Sequence, residues 1–231
     1  MKSFIDYLEP SAILLPDRVR NKFTELRIAH KNRQEIMILL SVLWLKDPET
    51  YDHSLRVGLL SSEIGRVMHL DQKALFYGGL MHDLGKILTD LHTLQKKFGW
   101  TLADTEEMKA HPVDSYRILR GKFDFTADTV LWHHQFQPNR YPETLPELLH
   151  PYSMGTKLVI QLHGRVITIA DTFDALHRVN DKFDMTQGDK LGEEIKEKMI
   201  KFNPDLKPLI RDLYTEGVLT TKVYLGEPVA A

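Results

Sequence analysis

The chain contains no cysteine. Disulfides, zinc–thiolate sites and iron–sulfur clusters are thereby excluded, and any metal must be held by His, Asp and Glu. There is no excess of basic charge: 30 Lys and Arg stand against 32 Asp and Glu, a formal charge of −2. That balance argues against wrapping a nucleic acid duplex by phosphate neutralisation. It leaves room for a local basic pocket around one phosphate. Long apolar runs are missing too. The longest, Ile36 to Leu45, is interrupted by Ser41 and is too short to span a bilayer. The first 20 residues carry acids early and have no apolar h-region, so they do not read as a secretory signal. A soluble cytoplasmic protein with no membrane partner is the expectation. Strand signals are also few: the last segment, Leu219 to Ala231, reads either as a short strand or as a tail without regular structure.

What the sequence does have is helical periodicity. The 231 residues, 42% of them hydrophobic, suit one large domain with a sizeable core. Asn21 to Lys46 reads as one or two helices, with Ile36, Leu39, Leu40 and Leu43 on a helical period. Asp47-Pro48 places an N-cap and a first-turn proline before a helix to about Met68, whose apolar face is Leu55, Leu59, Leu60, Ile64 and Val67. Asp71 caps a helix running through Leu80 to Asp83. Gly78-Gly79 weakens that helix, so close packing against a neighbour is expected there. Asp104 with Glu107 resembles a capping box and starts a helix near Thr105. Further helices are expected over His111 to Gly121, Thr126 to His134, Lys157 to Val179, Gly188 to Phe202 and Pro204 to Glu216. Pro138 to Thr156, with four prolines, reads as loop. The expectation is an all-α, bundle-like fold of seven to nine helices. Residues 1–46 form a helical extension packed on the core, and residues 47–231 form the main domain.

Eleven histidines is many for this length. Five stand in suggestive places: His53 in DHSLRV, His82 in MHDLGK, His111 in KAHP, and His133-His134 in WHHQ. His82 and Asp83 adjoin between Met81 and Leu84, in a stretch that reads as buried, and burying both is costly unless both are satisfied. Asp171, in TIADTFDAL, is another acid inside an apolar helix. Imidazole and carboxylate are ligands for Fe, Mn, Ni, Zn or Mg. One carboxylate can bridge two metals, and a pair roughly 3.5–4 Å apart serves phosphoryl chemistry. His30, His69, His92, His150, His163 and His177 read as ordinary surface or core residues.

His53, then His82-Asp83, then Asp171 resembles the H…HD…D signature of the HD superfamily of metal-dependent phosphohydrolases. LMHDLGKI, MKAHPVDSYRIL, VLWHHQ and ITIADTFDAL resemble successive segments of its HD-GYP branch, and FNPDLKPLI resembles that branch's F-D-P segment. The likeness runs over about residues 47 to 205 and implies an HD-domain helical bundle. By resemblance, His53, His82, Asp83 and Asp171 hold one divalent metal. Asp83, His111, His133 and His134 hold a second, with Asp83 bridging. Lys86 reaches a substrate phosphate. Some members of the branch hold a third metal through a glutamate at the position of Glu49; a helix-start acid favoured by the dipole is the competing reading.

The substrate side departs from the branch. After His134 its E-x-x-D-G-x-G-Y-P becomes QFQPNRYP, so that Gln135 replaces the glutamate and Arg140 the last glycine, and Tyr141-Pro142 survives. The Arg-rich stretch expected after ADTFDAL is replaced by HRVNDKF, where Arg178 or Lys182 could substitute. The implied function is a phosphodiesterase acting on a nucleotide or cyclic dinucleotide, cyclic di-GMP being the candidate, with a water activated by the metals. Asp83, Lys86 and Asp171 are the catalytic candidates; Lys86, Arg140, Tyr141 and Arg178 are the substrate-binding ones. The alternatives are an HD nucleotidase acting on phosphomonoesters and a degenerate nucleotide-binding signalling module. The N-terminal helices could serve as a homodimer or docking element, or simply pack.

Overall fold

The computed structural model describes residues 15–96, 98–137, 139–177 and 189–220. These residues form eleven α-helices and no strand: α1 (Leu15–Glu25), α2 (His30–Lys46), α3 (Pro48–Val67), α4 (Gln72–Met81), α5 (Leu91–Gln95), α6 (Leu102–Met108), α7 (His111–Leu119), α8 (Asp124–Val130), α9 (Met154–Leu176), α10 (Asp189–Phe202) and α11 (Lys207–Thr215). Single 3-10 turns lie at Leu84–Ile87 and Pro204–Leu206. The all-α expectation holds, but the described residues form eleven helices where seven to nine were expected, the short α5 being one with no counterpart in the sequence reading. Among the described residues, no helix is long and apolar enough to cross a membrane.

Helix α3 is the spine, packed along α4 and against α9, α2 and α1. Its start is built as the sequence implies: Asp47 accepts from the Thr50 amide at 3.0 Å, and Pro48 occupies the first turn. Leu55, Leu60 and Ile64 of α3 are buried with Leu75, Phe76 and Leu80 of α4 and Ile167, Ile169 and Phe173 of α9. Val19 and Phe23 of α1 and Ile36, Leu40 and Leu43 of α2 join the same core. The Phe23 and Phe76 rings meet edge to face at 5.3 Å. The helix-weakening Gly78-Gly79 pair has the packing role expected of it. A Cβ on Gly79 would lie 2.7 Å from Gly58 Cα and from the Val57 carbonyl, so α3 and α4 approach backbone to backbone.

Several local expectations are corrected. The capping box at the start of α6 pairs Thr101 with Asp104, not Asp104 with Glu107. Glu107 turns away instead, accepting from the Asp90 amide and the Thr93 hydroxyl, each at 2.7 Å. Helix α4 ends at Met81, so His82-Asp83 lies in the turn beyond it and Lys86 sits on a 3-10 turn. Helix α8 ends at Val130, leaving His133-His134 in the following turn. Helix α9 begins at Met154, inside the stretch read as loop; Ser153 caps it by accepting from the Thr156 amide. Leu219 and Thr220 form no strand, and the remainder of the final segment lies outside the described residues.

Candidate metal centre

Four parts of the fold bring the five singled-out histidines together. His53 stands in the middle of α3 and Asp171 in α9. His82 and Asp83 follow α4, His111 opens α7, and His133 and His134 follow α8. The turns are pinned by their own backbone. Ser115 of α7 donates to the His82 carbonyl at 2.7 Å and accepts from the Gly85 amide at 2.8 Å. Gly85 must be glycine for this approach, since a Cβ there would lie 2.1 Å from the His111 carbonyl oxygen. Thr168 of α9 donates to the His133 carbonyl at 2.6 Å.

Two clusters result, His53–His82–Asp83 and His111–His133–His134, all buried. Asp83 joins them. Its Oδ1 lies 3.2 Å from His111 Nε2, while its Oδ2 lies 3.5 Å from His53 Nε2 and 3.4 Å from His82 Nε2. Asp171 Oδ1 stands 3.2 Å from His53 Nε2. None of the six histidines read as ordinary belongs to either cluster.

The donor set tests whether metal ions fit. His82 Nδ1 donates to the Gly79 carbonyl at 2.8 Å, His111 Nδ1 to Met108 at 2.6 Å and His133 Nδ1 to Val130 at 2.5 Å. His134 Nδ1 donates to Gln137 Oε1 at 3.0 Å. A neutral imidazole with its proton on Nδ1 presents a bare lone pair at Nε2. His111 and His133 nevertheless aim their Nε2 atoms at each other across 3.1 Å, and Asp83 Oδ1 beside them is buried with no hydrogen-bond partner. Three electron-rich atoms converge with no proton among them. Such a nest is satisfied by a cation, so the residues present fit a divalent metal.

Electrostatics support neutral ligands. Burial pushes the His82 imidazole down to about 4, His133 to about 3 and His134 to about 4, and holds His111 well below its ordinary value. Burial also pushes the Asp83 carboxyl up, but the facing His82, Lys86 and His111 outweigh it and keep it well below the usual range. Asp171 is likewise held low against burial by the His53 imidazole that faces it, with His82 and His134 adding to the effect.

The substrate-side candidates are placed unevenly. Lys86 reaches Asp83 Oδ2 at 2.6 Å. Tyr141 stacks on His134 with centroids 4.3 Å apart and meets His111 edge to face at 5.8 Å. Gln135 donates to the Pro142 carbonyl at 2.7 Å and so ties down the loop that carries Tyr141. Arg140 is exposed beside Tyr141. Glu49 is exposed on the first turn of α3, and among the described residues it forms no ion pair with the centre. Arg178 and Lys182 lie outside the described residues.

Three residues that hold the site were given no role by sequence reasoning. Asp174 Oδ2 accepts from His53 Nδ1 at 2.7 Å. Arg56 grips Asp174 with Nε on Oδ1 at 2.6 Å and Nη2 on Oδ2 at 3.1 Å. Gln137 backs His134. The signal for the first two was spacing: Arg56 follows His53 by three residues and Asp174 follows Asp171 by three. Helices that meet at His53 and Asp171 therefore meet again one turn on.

The HD domain family profile matches residues 50–176. The chain belongs to the HD domain family. This HD domain is 29% identical over 182 residues to a cyclic di-GMP phosphodiesterase of Thermotoga maritima, covering 75% of this chain and 46% of the relative. It is 29% identical over 147 residues to the 3'3'-cGAMP-specific phosphodiesterase 1 of Vibrio cholerae, covering 61% of this chain and 32% of the relative. The chain thus spans about half the length of the first of these curated relatives and a third of the second. The HD domain of the L. monocytogenes phosphodiesterase PgpH superposes with a TM-score of 0.49 and 19% identity, covering 80% of this chain and 91% of that one.

Proposed function

We propose that this HD domain is a metal-dependent phosphodiesterase that hydrolyses a cyclic dinucleotide, with cyclic di-GMP the first candidate. The observation that carries the reading is the division of Asp83: one carboxylate oxygen faces the histidines of one cluster and the other faces His111 of the second. A shared carboxylate between two histidine groups is the architecture of a two-metal phosphoryl-transfer site. The names of the two curated relatives, both phosphodiesterases of cyclic dinucleotides, support the same substrate class.

In this reading His53, His82, Asp83 and Asp171 hold one divalent ion, drawn from Fe, Mn, Ni or Zn, and Asp83, His111, His133 and His134 hold the other. When bound, the pair supplies an activated water and a polarised phosphoryl group. The chain's own groups do the rest. Asp171, whose side chain is 13% exposed where Asp83 is 1%, is the carboxylate that solvent reaches, and it orients the attacking water. Lys86, at 16% exposure, swings from Asp83 toward a substrate phosphate. Tyr141 walls the second cluster, and Arg140 beside it meets a phosphate with its planar fork. Glu49 stays outside this assignment unless a third ion draws it in.

The test is turnover of cyclic di-GMP, a linear dinucleotide, bis-p-nitrophenyl phosphate and the monoester p-nitrophenyl phosphate after loading with Mn²⁺ or Fe²⁺. The reading expects hydrolysis of the diesters, abolished in Asp83→Asn. Hydrolysis confined to phosphomonoesters would replace it with a nucleotidase. Stoichiometric metal without turnover of any ester would replace it with a binding module.

A further inference from the structure

We infer that the two halves of the centre are unequal, that the His53 half fills first, and that Asp174 and Gln137 act as the positioning residues that set this order. The inference rests on the two-metal reading above and goes beyond it in assigning different affinities and different supports to the two positions.

The first asymmetry is charge. Two carboxylates, Asp171 Oδ1 and Asp83 Oδ2, face the His53 half, at 3.2 and 3.5 Å from His53 Nε2. The other half holds three imidazoles and a single carboxylate oxygen, Asp83 Oδ1. A divalent cation is held more strongly where more formal negative charge converges. Lys86 works in the opposite direction, since its ammonium sits 2.6 Å from Asp83 Oδ2. Lys86 stands on a flexible stem with a partly exposed side chain, whereas Asp171 is fixed on α9.

The second asymmetry is in what stands behind the ligands. Four of the five histidines rest their Nδ1 proton on a neutral acceptor, three on backbone carbonyls and His134 on the Gln137 amide. His53 alone among them rests on a carboxylate, Asp174, which is 2% exposed and gripped by both arms of Arg56. A carboxylate behind a ligating imidazole fixes its orientation and makes it a stronger donor than an amide does. His134 has the weakest support, because Gln137 is a half-buried side chain of the connecting loop. That loop is the one whose sequence departs from the HD-GYP pattern. The departure therefore bears on the second position.

The experiment is a calorimetric titration of Mn²⁺ into the full chain stripped with chelator. The wild type is expected to show two binding events separated by at least tenfold in affinity. Asp174→Asn should weaken the tighter event about 10–100-fold and leave the weaker one within about twofold. Gln137→Ala should do the reverse, and Gln137→Glu, which puts a carboxylate behind His134, should tighten the weaker event. If Asp174→Asn fails to fold, Arg56→Lys loosens the same clamp without removing charge and carries the test. Two equal wild-type events, or Asp174→Asn acting on the weaker event, would overturn the order while leaving two metals. No Mn²⁺ binding by the wild type would overturn both this inference and the two-metal reading.

Discussion

His111 and His133 face each other Nε2 to Nε2 across 3.1 Å, with each Nδ1 proton committed to a backbone carbonyl. Two lone pairs face each other in a buried site, beside a carboxylate oxygen that accepts nothing. This donor set is satisfied by a cation. Mn²⁺ at a hundredfold excess over its dissociation constant should stabilise the fold by about 3 kcal/mol. For a chain of this size that is a rise in Tm of about 5–10 °C. Differential scanning calorimetry with and without the ion checks it; an unchanged Tm would contradict it.

The same burial gives the metal-free protein a pH dependence of known sign. His82, His133 and His134 are held at about 4, 3 and 4 when folded, below the ordinary imidazole value of about 6.5 that they regain on unfolding. Between about pH 6.5 and 4 the unfolded chain binds more protons than the folded one, so stability falls as pH falls through that window. Urea midpoints in chelator should decline from pH 7 to pH 5. A flat profile would mean that these imidazoles are not buried as neutral groups.

Gly85→Ala tests the turn that sets Asp83 against His111. The added Cβ would meet the His111 carbonyl at 2.1 Å and the Ser115 amide nitrogen at 2.6 Å, both backbone atoms that cannot rotate aside. The substitution should cost about 1–3 kcal/mol of stability and lower the affinity of the second metal position. Thermal denaturation and Mn²⁺ titration of the variant measure the two effects. Wild-type values for both would show that this backbone approach does not matter.

Substrate contact should separate from metal binding in the loop. Arg140→Ala is expected to raise KM for the true substrate with metal content unchanged, and an unaltered KM would remove Arg140 from substrate binding. Tyr141→Phe keeps the ring on His134 and should stay near wild type. Tyr141→Ala loses a stacked contact of about 0.5–1.5 kcal/mol, which corresponds to a loss in kcat/KM of about twofold to thirteenfold. Equal effects of the two substitutions would assign the role to the hydroxyl instead of the ring.

Most of the helical fold was legible because its signals are local. Asp47-Pro48 and Asp71 cap the helices they were expected to cap, and the periodic apolar positions of α3 reach the core. That His53, His82, Asp83, His111, His133, His134 and Asp171 come together was legible only through the resemblance of their segments to the HD superfamily, since the sequence separations alone do not bring them to one place. Tertiary demands were not. Helix α4 stops at Met81 because the turn beyond it must swing His82-Asp83 under α7, a requirement set by Ser115, more than thirty residues on. Glu107 looked like a cap and became a partner for Asp90 and Thr93. Asp174 and Arg56 were visible as letters, but their pairing depends on how α3 crosses α9, which no local pattern states.

The most direct test of the central claim is the manganese content of the chain after loading and removal of free ion, for the wild type and Asp83→Ala side by side. A carboxylate shared between two metals predicts about two ions per chain in the wild type, falling to one or none when Asp83 is removed. Two ions retained by the Asp83→Ala variant, or none bound by the wild type, would contradict a bridged two-metal centre.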